Sequence, residues 1–84
     1  MAEVIIYTRQ ACSYCSAAKA LLGQKGVAFT EHDASYDQAL RAEMMQKSGR
    51  STFPQIFIGS RHIGGFDDMN ALNRAGALDP MLSA

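Results

Sequence analysis

The sequence predicts an α/β fold, a four-stranded mixed β-sheet flanked by three helices in the order βαβαββα. Three observations carry this reading. Val4-Ile5-Ile6-Tyr7 is an unbroken apolar run, as expected of a strand buried on both faces. An alanine- and leucine-rich stretch with helical spacing follows from Ser16 to Leu22. Further on, Gln55-Ile56-Phe57-Ile58 and Arg61-His62-Ile63 flank Gly59-Ser60, a two-residue turn that suits a type II′ hairpin.

Each element has its own signal. Between Ser13 and Lys25, Tyr14, Ala17, Ala18, Leu21 and Leu22 form a helical stripe, and Gly26 follows as a stop. Val27-Ala28-Phe29-Thr30-Glu31-His32 grows polar along its length, which suits a strand nearer an edge. Tyr36, Leu40 and Met44 recur every four residues and mark a second helix, closed by Gly49. Gly64-Gly65 breaks the hairpin's second strand. Asp67-Asp68 opens a last helix with Phe66, Met69 and Leu72 on one side and Gly76 beyond its end. A right-handed βαβ unit makes the first two strands parallel, and the hairpin adds an antiparallel pair.

The bulk numbers narrow the function. Eighty-four residues fit one domain with a modest core. Eight Lys and Arg balance eight Asp and Glu, so there is no basic footprint for nucleic acid. No apolar stretch approaches the roughly 20 residues that span a bilayer. Met1-Ala2-Glu3-Val4 lacks a basic region leading into an apolar one, and two cysteines are too few for a disulfide-stapled secreted scaffold. The expectation is a cytoplasmic protein without a membrane or nucleic-acid partner.

Those two cysteines stand in Cys12-Ser13-Tyr14-Cys15, at the junction of the first strand and helix. A helix start offers unpaired N–H groups and the positive end of the helix dipole, which favour a thiolate over a thiol. One turn separates the two residues, so both sulfurs reach one face. The pattern points to thiol–disulfide exchange, with Cys12 attacking and Cys15 resolving. Cys12 lies at or before the first turn, whereas Cys15 lies inside the helix; Arg9, three residues upstream, is placed to add positive potential. Two readings compete. Buried cysteines can serve as small hydrophobes, but CxxC at a strand–helix junction is a specific signal. Zinc needs four ligands, and the remaining candidates, His32 and His62, belong to no short ligand pair.

Two further segments carry chemistry. In Ser51-Thr52-Phe53-Pro54-Gln55, a proline precedes an apolar strand, where its missing N–H is tolerated. A cis Phe53–Pro54 bond would present the Phe53 backbone to an extended ligand, although cis occurs in only about 5–6% of X–Pro bonds. In Gly64-Gly65-Phe66-Asp67-Asp68, glycines allow close backbone approach and a helix start can bind a carboxylate. Asp67 or Asp68 can at the same time hold an ammonium, so the segment suits the zwitterionic end of an amino acid. The plainer reading is a turn with an aspartate N-cap.

CxYC, Thr-x-Pro and Gly-Gly-x-Asp-Asp, in this order and spacing, make the chain resemble the glutaredoxins over essentially its whole length, residues 1–84 as a single domain. The resemblance implies a thioredoxin-like fold in which Pro54 is cis, and glutathione as co-substrate. By that resemblance Thr52 and Phe53 pair through their backbone with the cysteinyl unit of glutathione beside Pro54. Gly65, Phe66, Asp67 and Asp68 receive the γ-glutamyl end, Asp68 taking the ammonium. Tyr14 lines the approach of the sulfur, while Arg9 and Arg41 face the glycyl carboxylate; both also read as solvated surface arginines. Glutathionylated or disulfide-containing proteins are the implied partners, and the protein is expected to be a monomer.

Two departures from the family pattern stand out. Ser13 replaces the common proline, whose ring stiffens a first helical turn. Some glutaredoxins with serine there hold a [2Fe–2S] cluster between two subunits, using one Cys and one glutathione from each. An iron–sulfur carrier or sensor, dimeric through a cluster on Cys12, is therefore the alternative function. Phe53 replaces the usual valine, and the Cys-Gly-Phe-Ser motif of the monothiol branch is absent. A thioredoxin-like reductase served by a flavoprotein is disfavoured by the Gly65-to-Asp68 segment.

Overall fold

The computed structural model of the chain describes residues 2–84. Its elements run β1 (Val4–Thr8), α1 (Ser13–Gln24), β2 (Thr30–Asp33), α2 (Gln38–Ser48), β3 (Gln55–Ile58), β4 (Arg61–Gly64), α3 (Phe66–Arg74) and α4 (Leu78–Ser83). The strands form one sheet in the order β2-β1-β3-β4. β1 lies parallel to β2 and antiparallel to β3, and β3 lies antiparallel to β4. The mixed four-stranded sheet follows from the connections: α1 carries the chain across between parallel strands, and a two-residue turn joins β3 to β4. In that turn Gly59 has φ 60°, whereas Ser60 is not among the residues with positive φ, as a type II′ turn requires.

Strand alternation sends side chains to two cores. Val4 and Ile6 of β1, with Ile56 and Ile58 of β3, pack against Ala18 and Leu22 of α1, Met69 of α3, and Leu78 and Leu82 of α4. Tyr7 and Phe57 point the other way, onto Met44 of α2, with Ile5, Leu40 and Phe53 around them. Helices thus cover both faces of the central strands, which is why Val4–Tyr7 shows no polar alternation.

Some boundaries differ from the sequence reading. Tyr36 lies outside α2 and is 88% exposed, because Asp37 Oδ1 accepts the Leu40 N–H at 3.0 Å and starts the helix after it. β2 begins at Thr30, where the parallel register with Ile5 starts, rather than at Val27. Gly65, not an aspartate, is the N-cap of α3, so the helix opens at Phe66. A fourth helix, the six-residue α4, adds to the expected three. It is too short to show a period, and Pro80 fits its first turn, where no N–H partner is needed.

Candidate active site

β1 ends at Thr8, and the loop from Arg9 to Cys12 turns the chain into α1. Arg9 Nη1 donates to the carbonyls of Gln10 (3.0 Å) and Ala11 (3.3 Å). Ala11 adopts φ 53°, a left-handed conformation unusual for a residue with a Cβ. Cys12 is the N-cap of α1: its sulfur accepts the Cys15 N–H at 3.2 Å, in the place an oxygen usually takes. The Cys12 sulfur also lies 3.9 Å from the Phe53 carbonyl, within reach of a thiol hydrogen bond. The sequence thus delivers one sulfur to a helix start and, through the fold, to the loop that holds Pro54.

The two thiols sit in different surroundings. Cys12 is half-buried, whereas Cys15 is 2% exposed, and both are free. Burial, then hydrogen bonding to Cys12, pushes the Cys15 thiol up to about 11, with Arg9 pulling the other way. Cys15 is therefore a neutral thiol at physiological pH, and Cys12 is the sulfur that solvent and a disulfide can reach.

Beside Cys12 opens a cleft of about 200 Å³, lined by Tyr14, Arg50, Thr52, Phe53, Pro54, Gly65, Phe66, Asp67 and Asp68. Enclosed sites for whole small ligands are larger, roughly 300–1,000 Å³. The cleft therefore has room for one arm of a peptide-like ligand rather than all of it. Its walls come from three places. Tyr14, in the first turn of α1, stacks on Phe66, the first residue of α3, with ring centroids 6.3 Å apart. The loop before β3 contributes Thr52-Phe53-Pro54, and the Phe53–Pro54 bond is cis. The start of α3 contributes Gly65 and both aspartates.

Asp68 is fixed by two contacts to one oxygen. Its Oδ2 accepts the Gly65 N–H at 2.9 Å and pairs with Arg50 Nη1 at 3.0 Å. Chiefly the Gly65 N–H, and then Arg50, hold its carboxyl below the usual carboxylate range, so it stays charged. Gly64, with φ 117°, makes this possible, because a Cβ there would collide with the Asp68 carboxylate. Behind the proline loop, the fully buried Gln55 donates to both the carbonyl and the hydroxyl of Thr52, at 3.0 and 3.1 Å. With both amide hydrogens used, Gln55 Oε1 accepts from His62 Nε2 at 2.7 Å.

Of the residues singled out from sequence, Tyr14, Thr52, Phe53, Pro54, Gly65, Phe66, Asp67 and Asp68 come together in this cleft. Arg9 and Arg41 do not line it. Arg41 donates to the carbonyls of Ala34 (2.8 Å) and Ser35 (3.1 Å), with its guanidinium 5.6 Å from the centre of the Phe53 ring. Arg50, Gln55 and His62 were missed as site residues. A basic residue two positions before Thr52 is the one signal available for Arg50; its pairing with Asp68, eighteen residues on, is tertiary. For a [2Fe–2S] cluster, which takes four thiolate ligands, one chain offers only the accessible Cys12. The remaining ligands would have to come from outside the chain.

A dithiol at a helix start, on a mixed sheet beside a proline loop, defines a thiol–disulfide oxidoreductase of the thioredoxin fold. The comparisons with known proteins specify it further. The family profile described as Glutaredoxin matches residues 4–63. Glutaredoxin 3 of Escherichia coli (strain K12) is 55% identical over 82 residues, covering 98% of this chain and 99% of that one. The solution structure of glutaredoxin from Brucella melitensis is 61% identical, with a TM-score of 0.86 over 98% of this chain and 89% of its own. The crystal structure of the buckwheat glutaredoxin–glutathione complex reaches a TM-score of 0.89 at 33% identity, over 98% and 77% of the two chains. The chain belongs to the glutaredoxin family.

Proposed function

We propose that the protein reduces protein–glutathione mixed disulfides and protein disulfides, with glutathione as its reductant and Cys12 and Cys15 as its redox pair. One observation carries the reading: the accessible sulfur caps α1 within 3.9 Å of the Phe53 carbonyl, next to a cleft with Asp68 and the start of α3 in its lining. Glutathione is a short peptide whose γ-glutamyl end bears an ammonium and a carboxylate, which this lining suits. The backbone of Thr52 and Phe53 is the natural partner for its cysteinyl unit. That the buckwheat relative forms a complex with glutathione supports the same reading.

The chemistry follows from the two sulfurs. Cys12 thiolate attacks the glutathione sulfur of the mixed disulfide; a Cys12–glutathione disulfide forms, and the protein thiolate leaves and takes up a proton. A second glutathione thiolate attacks the bound glutathione sulfur, releasing glutathione disulfide and restoring Cys12. With a protein disulfide, Cys12 forms the mixed disulfide, and Cys15 then attacks Cys12, which frees the reduced protein and leaves a Cys12–Cys15 disulfide that two glutathione thiols reduce, releasing glutathione disulfide. Part of what holds Cys15 protonated is Cys12 itself. Once Cys12 is in a disulfide that influence is gone, and Cys15 loses its proton more readily when it is needed.

Cys12→Ser is expected to abolish both activities. Cys15→Ser is expected to keep deglutathionylation and lose reduction of protein disulfides. Steady-state assays with a glutathionylated peptide and with a protein disulfide test this; the opposite pattern would reverse the two roles. The oxidoreductase needs only one chain and glutathione, whereas a cluster-bridged dimer needs ligands from elsewhere, and on that ground the first reading is preferred.

A further inference from the structure

Arg50 is the one cation in the cleft lining, which otherwise carries two carboxylates, Asp67 and Asp68. Gly49, with φ 70°, ends α2 just before Arg50. Ser48 then clasps the Arg50 backbone: its hydroxyl accepts the Arg50 N–H at 3.0 Å and donates to the Arg50 carbonyl at 3.1 Å. The backbone is anchored while the side chain is half-exposed (48%), as is that of Asp68 (45%). Ion pairs this exposed contribute little to stability and open easily. The Gly65 N–H holds the Asp68 carboxylate independently of Arg50.

Resting on the glutathione reading above, we propose that the Arg50–Asp68 pair is a placeholder for the γ-glutamyl end, whose ammonium displaces Arg50 from Asp68 while Arg50 turns onto the α-carboxylate. An α-amino acid carries opposite charges on one carbon, spaced much like the two ends of this ion pair. The exchange therefore replaces one internal pair with two pairs to the ligand and strands no charge. Without Arg50, the incoming carboxylate would meet Asp67 and Asp68 with only helix N–H groups to offset them. Arg50 is thus a specificity residue: it makes the cleft choose a zwitterion over a bare amine. Its fork-shaped guanidinium suits a carboxylate better than an ammonium would.

The test compares two substrates in two proteins. One substrate is a peptide–glutathione mixed disulfide; in the other the γ-glutamyl α-carboxylate is a carboxamide. In the wild type the amide is expected to lower kcat/KM about tenfold, the scale of one charge-assisted contact. In Arg50→Gln that penalty should shrink to about twofold or less, with KM for the parent substrate raised and kcat little changed. Arg50→Lys, which keeps the charge without the fork, should fall between and carries the comparison if the glutamine variant folds poorly. Equal amide penalties in wild type and variant would overturn the proposal and leave the glutathione reading intact. If the wild type showed no preference for the glutathione disulfide over one lacking the γ-glutamyl unit, both would fall.

Discussion

At the scale of single residues, Cys12 does two jobs with one atom. Its sulfur caps the helix and is also the accessible thiol, so the group that ends β1's loop and begins α1 is the group available for exchange. The loop that delivers it passes through Ala11 at φ 53°. A left-handed conformation costs an L-residue roughly 1–2 kcal/mol, against a glycine's unfolded-state entropy penalty of about 0.4–1 kcal/mol. Ala11→Gly is therefore expected to leave stability unchanged or raise it by up to about 1.6 kcal/mol, as read by urea unfolding. A measurable loss would mean that the methyl group packs against something essential. Ala11→Val should destabilise, since a branched Cβ tolerates this region least.

Between elements, the proline loop depends on a polar thread through an apolar layer. Gln55 lies in a strand that is buried throughout, yet every polar atom of its amide is used, toward Thr52 on one side and His62 on the other. Gln55→Leu would leave Thr52 and His62 without their partner and is expected to cost about 1–3 kcal/mol. Activity should fall with it, because Thr52 belongs to the segment proposed to pair with glutathione. Unchanged stability in urea would show that the thread is dispensable. His62 gives the same thread a pH dependence. Burial, and then the positive charge of Arg50, hold its pKa below the ordinary value, with Asp68 opposing in part. Protonating His62 therefore costs more in the fold than in the unfolded chain. Its contribution is complete above about pH 6.5 and is lost as pH falls through the folded value. Urea midpoints measured between about pH 7.5 and 5.5 should decline in the wild type and decline less in His62→Gln; identical slopes would refute this.

For the whole molecule, the sheet divides its apolar residues between two cores, and the one beneath the cysteine helix is closed by the chain's last element. Leu78 and Leu82 of α4 join Val4, Ile6, Leu22, Ile56 and Met69 there, and the Leu82 carbonyl accepts the Ala2 N–H at 3.2 Å. Leu78→Ala should cost about 2–5 kcal/mol, a large share of the 5–15 kcal/mol that a domain typically has. Thermal unfolding followed by circular dichroism measures it. A shift of only a degree or two would mean that α4 is peripheral, in spite of its buried leucines.

Much was legible in advance because local chemistry and periodicity agree with the fold. The unbroken run at Val4–Tyr7, the stripe after Cys12 and the turn at Gly59-Ser60 each name their element, and the connections then allow one mixed sheet. Where the local cap differed from the one the period suggests, the helix start moved. Asp37 capped α2 and left Tyr36 outside it, and Gly65 took the cap that an aspartate seemed to claim. The cleft's walls were readable as three motifs, since each is a short stretch whose residue types state their chemistry. By itself, then, the sequence determined the order of elements along the chain, the dithiol and the segments that surround it. Only the tertiary structure decided which charges meet: that Asp68 rests on Arg50, that Arg41 turns instead to the Ala34 and Ser35 carbonyls, and that Gln55 ties Thr52 to His62. The physical reason is one of range. Helix and strand signals act over a few neighbouring residues, whereas an ion pair or a buried hydrogen bond between elements depends on distances that exist only once the sheet has assembled.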